Sequence, residues 1–503
     1  MTDLFAVGLR NRRAVPFASV PVQPTDRFHA ALADAHGRGN RLVSLFGLPD
    51  GADRLRLVAV VADDPAGALG ITSTIVAGRY PALTPHCPPA ARFEREVWEQ
   101  CAVVPEGHPS LKPVRRHPPD HAPGGWVPDT PDRDAYAFDR VDGDEVHEVA
   151  VGPVHAGVIE PGHFRFQAHG ERVLGLEIML GYQHRGVERL LETAARTRAV
   201  LVAESIAGDT VVGHADAYCG ALEALARCRK TPRAQAIRGI ALELERLANH
   251  VGDLGALAGD IAYQPGAAYF GRLRGEFLNL LMAVSGSRYG RGLLRPGGVQ
   301  FDLTPALIAE MRGRLRWLSE MVAPAARLMF SDASVQARLE GVGVVDASLA
   351  EQEGFVGPVA RACEMPRDVR HDHPWGVFRF AHVPVATAWA GDVFARAQVR
   401  RIETQRSLEF LQEQLDSVPR GAPLVPAGAL RPDELVVALV EGWRGEIVHV
   451  VITDAQGGIR RYKVTDPSFR NWPALAAAMP GNEISDFPLC NKSFNLSYAG
   501  HDL

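Results

Sequence analysis

Between Pro105 and Pro131 the chain carries eight prolines and three glycines and shows little hydrophobic periodicity. Each proline removes a backbone donor and fixes φ, so neither a helix nor a central strand runs through such a stretch, and an extended tether suits it better than a packed element. This divides the chain into residues 1–112 as one small domain, 113–147 as a Pro-rich tether and 148–503 as a larger domain.

In the first part a helical stretch at Arg27 to His36 is followed by apolar, β-rich runs at Arg54 to Ala62 and Ala68 to Ala77, the make-up of a small α/β domain. Beyond the tether, strand-like segments at Glu145 to Val151 and Gly162 to Ala168 lead through Gly170, a hairpin turn, into Val173 to Ile178. Ala/Leu/Arg/Glu-rich segments near 186–230, 232–262, 266–286, 304–330 and 391–416 predict a helical bundle. Strands return after Leu435, and Asp466-Pro467 opens a short helix. The expected fold class is α+β, a small α/β domain followed by a large helical-bundle domain with peripheral β-strands.

A net charge of -5 lacks the broad basic footprint of a nucleic-acid binder, so no nucleic-acid partner is expected. The six cysteines (Cys87, Cys101, Cys219, Cys228, Cys363, Cys490) include no C-x-x-C pair, which is neither a disulfide framework nor a zinc ribbon and fits a reducing cytoplasm. No run of 18 apolar residues is present to span a bilayer, so membrane contact is expected through partners.

Four local constellations bear on chemistry. Gly152-Pro153-Val154-His155, with His163 eight residues on, puts two imidazoles on or beside a hairpin; surface histidines on a loop are the plainer reading. Gly181-Tyr182-Gln183-His184-Arg185-Gly186-Val187-Glu188 lies at a strand-to-helix junction, where Glu188 complements the helix dipole and capping alone would account for it. Ala207, Thr210, His214 and Tyr218 step by three, four and four and so share one helix face, on which an imidazole and a phenol could grip a polar head group and deliver protons. Glu243, Arg246 and His250 share another, which an internal ion-pair network would also explain. His371-Asp372-His373 has no third ligand at a recognisable spacing, so no metal site is expected there. There is no phosphate-binding Gly-x-x-x-x-Gly-Lys loop and no Gly-x-Ser-x-Gly elbow.

Taken in order, these segments resemble one family, the large catalytic subunit shared by respiratory complex I (the 49 kDa subunit) and membrane-bound NiFe hydrogenases such as formate hydrogenlyase. The landmarks are Gly152-Pro153-x-His155, His184-Arg185-Gly186-x-Glu188, Ala217-Tyr218, Glu243-x-Glu-Arg246-Leu-Ala-x-His250, Arg295-Pro-Gly-Gly-Val299 with Asp302, Gly341-Val-Gly-Val344, Asp368-Val-Arg370, Gly391-Asp392-Val-Phe394 and Glu441-Gly-x-Arg444-Gly445-Glu446. The N-terminal part resembles the 30 kDa complex I subunit at Phe93-Glu94-Arg95-Glu96 and Gly107-His108-Pro109-x-Leu111, so the layout is that of the fused formate hydrogenlyase subunit.

The departure from that family matters equally. Its hydrogenases hold nickel by two C-x-x-C pairs, soft ligands for a soft-leaning metal; the positions that align here are Ala207 and Thr210, then Asn495 and Tyr498. Complex I lacks the same cysteines and uses that region as a quinone cavity beside a partner's iron–sulfur cluster. The resemblance implies that its quinone-binding His and Tyr carry over to His163 and Tyr218, with His214 as a further catalytic residue and His155, His184, Arg185, Glu188, Ala207, Thr210, Arg246 and His250 lining the substrate region. The eight-residue spacing from His155 to His163 is hydrogenase-like, whereas complex I uses four.

The function implied is the large subunit of a membrane-associated oxidoreductase, binding a quinone-like acceptor and holding no metal of its own. Its implied partners are a complex I 20 kDa-like subunit carrying a 4Fe-4S cluster and membrane ion-translocating subunits, at the cytoplasmic face of the inner membrane. NAD(H) enters through the resemblance alone. An active NiFe hydrogenase and a non-catalytic bracing subunit are the alternatives.

Overall fold

A computed structural model describes residues 5–123, 136–155 and 159–503. The fold is α+β, as expected. The N-terminal part forms a sheet in the order Ala6–Leu9, Ala68–Val76, Leu55–Asp63, Arg41–Pro49, with Val22–Gln23 parallel to Ala68–Val76 and the Thr25–Gly37 helix packed on it. Arg41–Pro49, buried at nearly every position, was not anticipated as a strand. Burial on both faces gives it a continuous apolar run in place of the alternation that marks a half-exposed strand.

Two further sheets frame the bundle. Val146–Val151, His163–His169 and Arg172–Met179 form an antiparallel meander. Glu434–Gly442, Gly445–Thr453 and Ile459–Thr465 form a second, whose edge is completed by Val15–Pro16, with Leu435 opposite Val15 and Glu434 opposite Pro16. A short segment near the N-terminus is thus woven into a C-terminal sheet. One hydrophobic core accordingly mixes Phe46, Val58 and Ile71 with Tyr218, Leu244 and Val450.

The bundle is built on the Pro232–Asp260 helix, which packs against Gln264–Ser285 and Val393–Asp416. Thr231 caps its start by accepting from Ala234 N, and Pro232 occupies the first turn, where its missing N–H costs no hydrogen bond.

The Pro-rich stretch carries no helix or strand at residues 107–122, as proline dictates, yet it is not a free tether there. Val114, Arg115, His117 and His121 are buried. Arg115 N donates to Glu99 Oε2 at 2.9 Å, and the His117 ring stacks on His184 at 4.2 Å. Proline excludes regular structure without preventing burial where side chains supply acceptors. Residues 124–135 of the tether lie outside the described residues.

Candidate functional site

The Val211–Leu225 helix starts later than the sequence spacing suggests. Ala207 and Thr210 lie in the turn before it, so they do not share a helix face with His214 and Tyr218. The Thr210 hydroxyl does not cap the helix. The first free amides are taken instead by Glu245 of the neighbouring helix, whose carboxyl group accepts from Val212 N at 2.6 Å and Gly213 N at 3.1 Å. With its orphan donors met from outside, the helix begins at Val211 and Gly208-Asp209 remains a turn.

Arg444 sits in the tight turn between Glu434–Gly442 and Gly445–Thr453 and is buried. Its guanidinium lies over the Trp443 ring at 3.8 Å, donates to both oxygens of Asp209 (2.5 and 2.8 Å), to Thr210 Oγ1 at 3.1 Å and to Asn495 O at 2.5 Å. One cation thus gathers the 207–210 turn and the 495–498 segment. Gly445 holds this turn in place. Its φ is +130°, and a Cβ there would fall 2.8 Å from the Gly357 backbone, so only glycine allows the two loops to meet.

Asn495 ends the Phe487–Phe494 helix in the left-handed conformation (φ 45°) and donates Nδ2 to Asp253 Oδ1 at 2.6 Å. Tyr498 lies edge-on to Trp472 at 4.8 Å, and burial raises its phenol to about 12. Its amide donates to Glu160 Oε2 at 3.4 Å. Burial raises Glu160 above the usual carboxylate range, against the pull of Arg444.

His214 is fully buried. Its Nε2 donates to Asp466 Oδ2 at 2.9 Å, and its Nδ1 meets His449 Nε2 at 3.1 Å, while His449 Nδ1 meets the Tyr462 hydroxyl at 2.7 Å. With Asp466 kept below its usual range by His214 despite burial, the tautomers are consistent along the line Tyr462 to His449 to His214 to Asp466, each group donating to the next. Burial, with His214 alongside, lowers His449 well below its ordinary value. Tyr218 packs on Tyr462 at 6.2 Å, and its buried hydroxyl has no hydrogen-bond partner among the described residues.

The remaining sequence candidates are engaged elsewhere. His163 Nδ1 donates to Gly152 O at 3.2 Å on the first hairpin, and His155 Nε2 donates to Gly162 O at 2.9 Å. No described interaction joins His163 to Tyr218. His184 Nδ1 donates to Asp502 O at 2.8 Å, and burial together with the stacked His117 lowers it to about 4. Arg185 donates to the carbonyls of Ser205, Ile206 and Ala499. Glu188, buried, accepts from Lys463 at 2.8 Å and Arg461 at 3.0 Å, which hold it well below the usual range despite burial. Arg246 donates to Glu243, Glu441 O and Gly442 O, and His250 Nε2 to Glu403 at 2.7 Å, inside a buried ion network. Arg444, Asp209, Glu160 and Glu245 were not singled out by sequence. Arg444 was visible there only within the Glu441–Glu446 motif and Glu245 only within the Glu243–His250 motif.

The residues present do not suit a thiolate-held nickel centre. The four side chains at the relevant positions are a methyl, a hydroxyl, an amide and a phenol, and a guanidinium lies between their segments.

Among known proteins, a profile of the respiratory-chain NADH dehydrogenase 49 kDa subunit matches residues 260–428 and 423–502. Hydrogenase-4 component G of Escherichia coli (strain K12) is 30% identical over 444 residues, covering 84% of this chain and 76% of its own. The carbon monoxide-induced hydrogenase of Rhodospirillum rubrum is 30% identical over 362 residues, 69% of this chain and 97% of its own. The chain belongs to the complex I 49 kDa and hydrogenase large-subunit family. Formate hydrogenlyase subunit 5 of Escherichia coli (strain K12) is 29% identical over 442 residues, 84% of this chain and 77% of its own. In this member of the family Arg444 joins the 207–210 turn to the 495–498 segment.

Proposed function

We propose that this chain is the large subunit of a multisubunit, membrane-associated oxidoreductase that passes electrons between a partner's iron–sulfur cluster and a quinone-like acceptor, without a nickel–iron centre. The observation that carries this reading is the Arg444 guanidinium held against Thr210 and Asn495. The guanidinium, paired with Asp209, takes the place of thiolate donors there, and its remaining Nη2 hydrogen can stabilise the negative charge that develops on a quinone oxygen during reduction. Relatives named as parts of an F(420)H(2) dehydrogenase and of an NADH-quinone oxidoreductase support it.

In this reading Arg444 and Thr210 hold the head group, and the buried Tyr462–His449–His214–Asp466 line is the proton reserve behind it. His163 and Tyr218 would form the head-group pair only if the hairpin and the helix approach each other on binding. Val154, Ile159, Tyr182 and Leu201, exposed in the segments beside Glu160, Arg185 and Ser205, suit the docking of the iron–sulfur subunit. No helix among the described residues is long and apolar enough to cross a membrane. The chain is proposed to be peripheral, at the cytoplasmic face, with membrane ion-translocating subunits as neighbours. The relatives with a hydrogenlyase or hydrogenase-4 name match over more of this chain than the F(420)H(2) dehydrogenase relative, which supports a fused layout of 1–112, 113–147 and 148–503.

The test is menaquinone and ubiquinone reduction by the purified complex, with elemental analysis alongside. Quinone turnover without stoichiometric nickel is expected; one nickel per chain with hydrogen oxidation overturns the proposal. The close packing of Thr210, His214 and Tyr218, each at most 1% exposed, favours a second reading, a bracing subunit without chemistry of its own. Under it Ala207→Phe leaves complex activity intact.

A further inference from the structure

A second cavity lies away from the site above. It holds about 510 Å³ between the Ala91–Cys101 helix, the Arg172–Met179 strand and the Pro467–Ala478 helix, and so between the N-terminal part and the larger one. Its walls are mostly apolar, with Phe93, Phe355 and Phe469 among them. Into this apolar space come three arginines, Arg92, Arg95 and Arg470.

Their charge is poorly offset. Arg92 and Arg95, three residues apart and so on one helix face, form no ion pair among the described residues. Arg92 Nη1 meets His501 Nε2 at 3.0 Å, and Arg95 donates to the carbonyls of Lys112 and Pro113. Arg470, 7% exposed, donates to Leu42 O and Val43 O, approaches Glu446 at 3.6 Å, and leaves its buried Nε without a partner among the described residues. Two carboxylates also line the space. Glu177 is neutralised by Lys112 at 2.5 Å, and burial raises Glu353 above the usual carboxylate range against the pull of Arg92. Burial depresses Arg92 to about 9 and Arg470 to about 10, the mark of cations lacking full counter-charge.

The geometry points to a binding site for a small amphipathic anion, its phosphate or carboxylate head on Arg92 and Arg95 and its apolar body against Phe93, Phe355 and Phe469. The volume lies within the ordinary range for small-ligand pockets, about 300–1,000 Å³. A purely polar anion would leave the aromatic wall wet, and an apolar molecule would leave the partly buried guanidiniums of Arg92 and Arg95 without an anion. The source is either a soluble metabolite-like amphiphile or a membrane lipid with an anionic head.

The test is calorimetric titration of the intact complex with octyl phosphate below its micellar concentration, inorganic phosphate and octyltrimethylammonium. Flotation with vesicles containing phosphatidic acid provides a separate arm. Octyl phosphate is expected to bind saturably, inorganic phosphate at least tenfold more weakly and the cation not at all. Arg92→Gln should weaken octyl phosphate about tenfold, and Ala476→Trp, which fills the cavity, should abolish binding. Vesicle flotation lost in Arg92→Gln identifies a lipid; octyl phosphate binding without flotation identifies a soluble ligand. Absence of saturable octyl phosphate binding, or equal binding of the cationic amphiphile, overturns the proposal even if neither variant folds. Unchanged affinity in Arg92→Gln does so as well.

Discussion

Glu245 offers the sharpest test of the environment at the start of the Val211–Leu225 helix. It is 3% exposed and holds two amides of that helix, yet burial raises its carboxyl to about 8. In the unfolded chain the group returns to about 4.3. Between those values the folded protein keeps a proton that the unfolded chain has released. The stability Glu245 contributes is therefore fully present below about pH 4.3 and is lost as pH rises to about 8, with a slope of about 1.4 kcal/mol per pH unit. From pH 6 to 7.5 that amounts to about 2 kcal/mol. With an unfolding entropy of about 2.1 cal/mol/K per residue, a chain of this length shifts its Tm by about 1 °C per kcal/mol, so the expected change is about 2 °C. Glu245→Gln cannot ionise and removes this dependence. Melting curves of the two proteins at pH 6.0, 6.75 and 7.5 in matched ionic strength should show the Gln variant gaining about 2 °C relative to wild type across the range. Parallel Tm profiles would refute the assignment of a protonated, buried Glu245.

Glu188→Gln takes the shared carboxylate from Lys463 and Arg461, which keep Glu96 and Glu192, and denaturant titration should show a loss of about 1–3 kcal/mol. Gly445→Ala forces a Cβ against Gly357 at positive φ; we expect a destabilisation of at least about 1–3 kcal/mol and a fall in quinone turnover as Arg444 shifts. Arg444→Lys keeps the charge but loses the fork that spans Asp209, Thr210 and Asn495, so turnover should fall at least about tenfold while nickel content stays at background; unchanged turnover removes Arg444 from the site.

The bundle helices and the hairpin at Gly170 were legible because their hydrophobic periods are long and their turn residues unambiguous. The Ala91–Cys101 helix was harder to place. It was not placed from the sequence, and its Glu94, Glu96 and Glu99 are all buried, Glu94 on the amides of Leu83 and Thr84 and Glu99 on that of Arg115. A carboxylate that caps backbone is indistinguishable in sequence from one that faces water. The Arg444 contact with Thr210 spans 234 positions, and nothing local to either residue announces it. The spacing of 207, 210, 214 and 218 looked helical because its steps match helical turns; where the helix begins was decided by Glu245, on another helix.

The short strand Val15–Pro16, completing a sheet made otherwise of residues from Glu434 onward, has a consequence for assembly. Two separate polypeptides would have to meet at cellular concentration before that edge could close. Joined in one chain, the edge strand is supplied at an effective concentration of order millimolar. Stoichiometry is thereby guaranteed at one to one, and neither half is left with an open sheet edge to pair with a stranger.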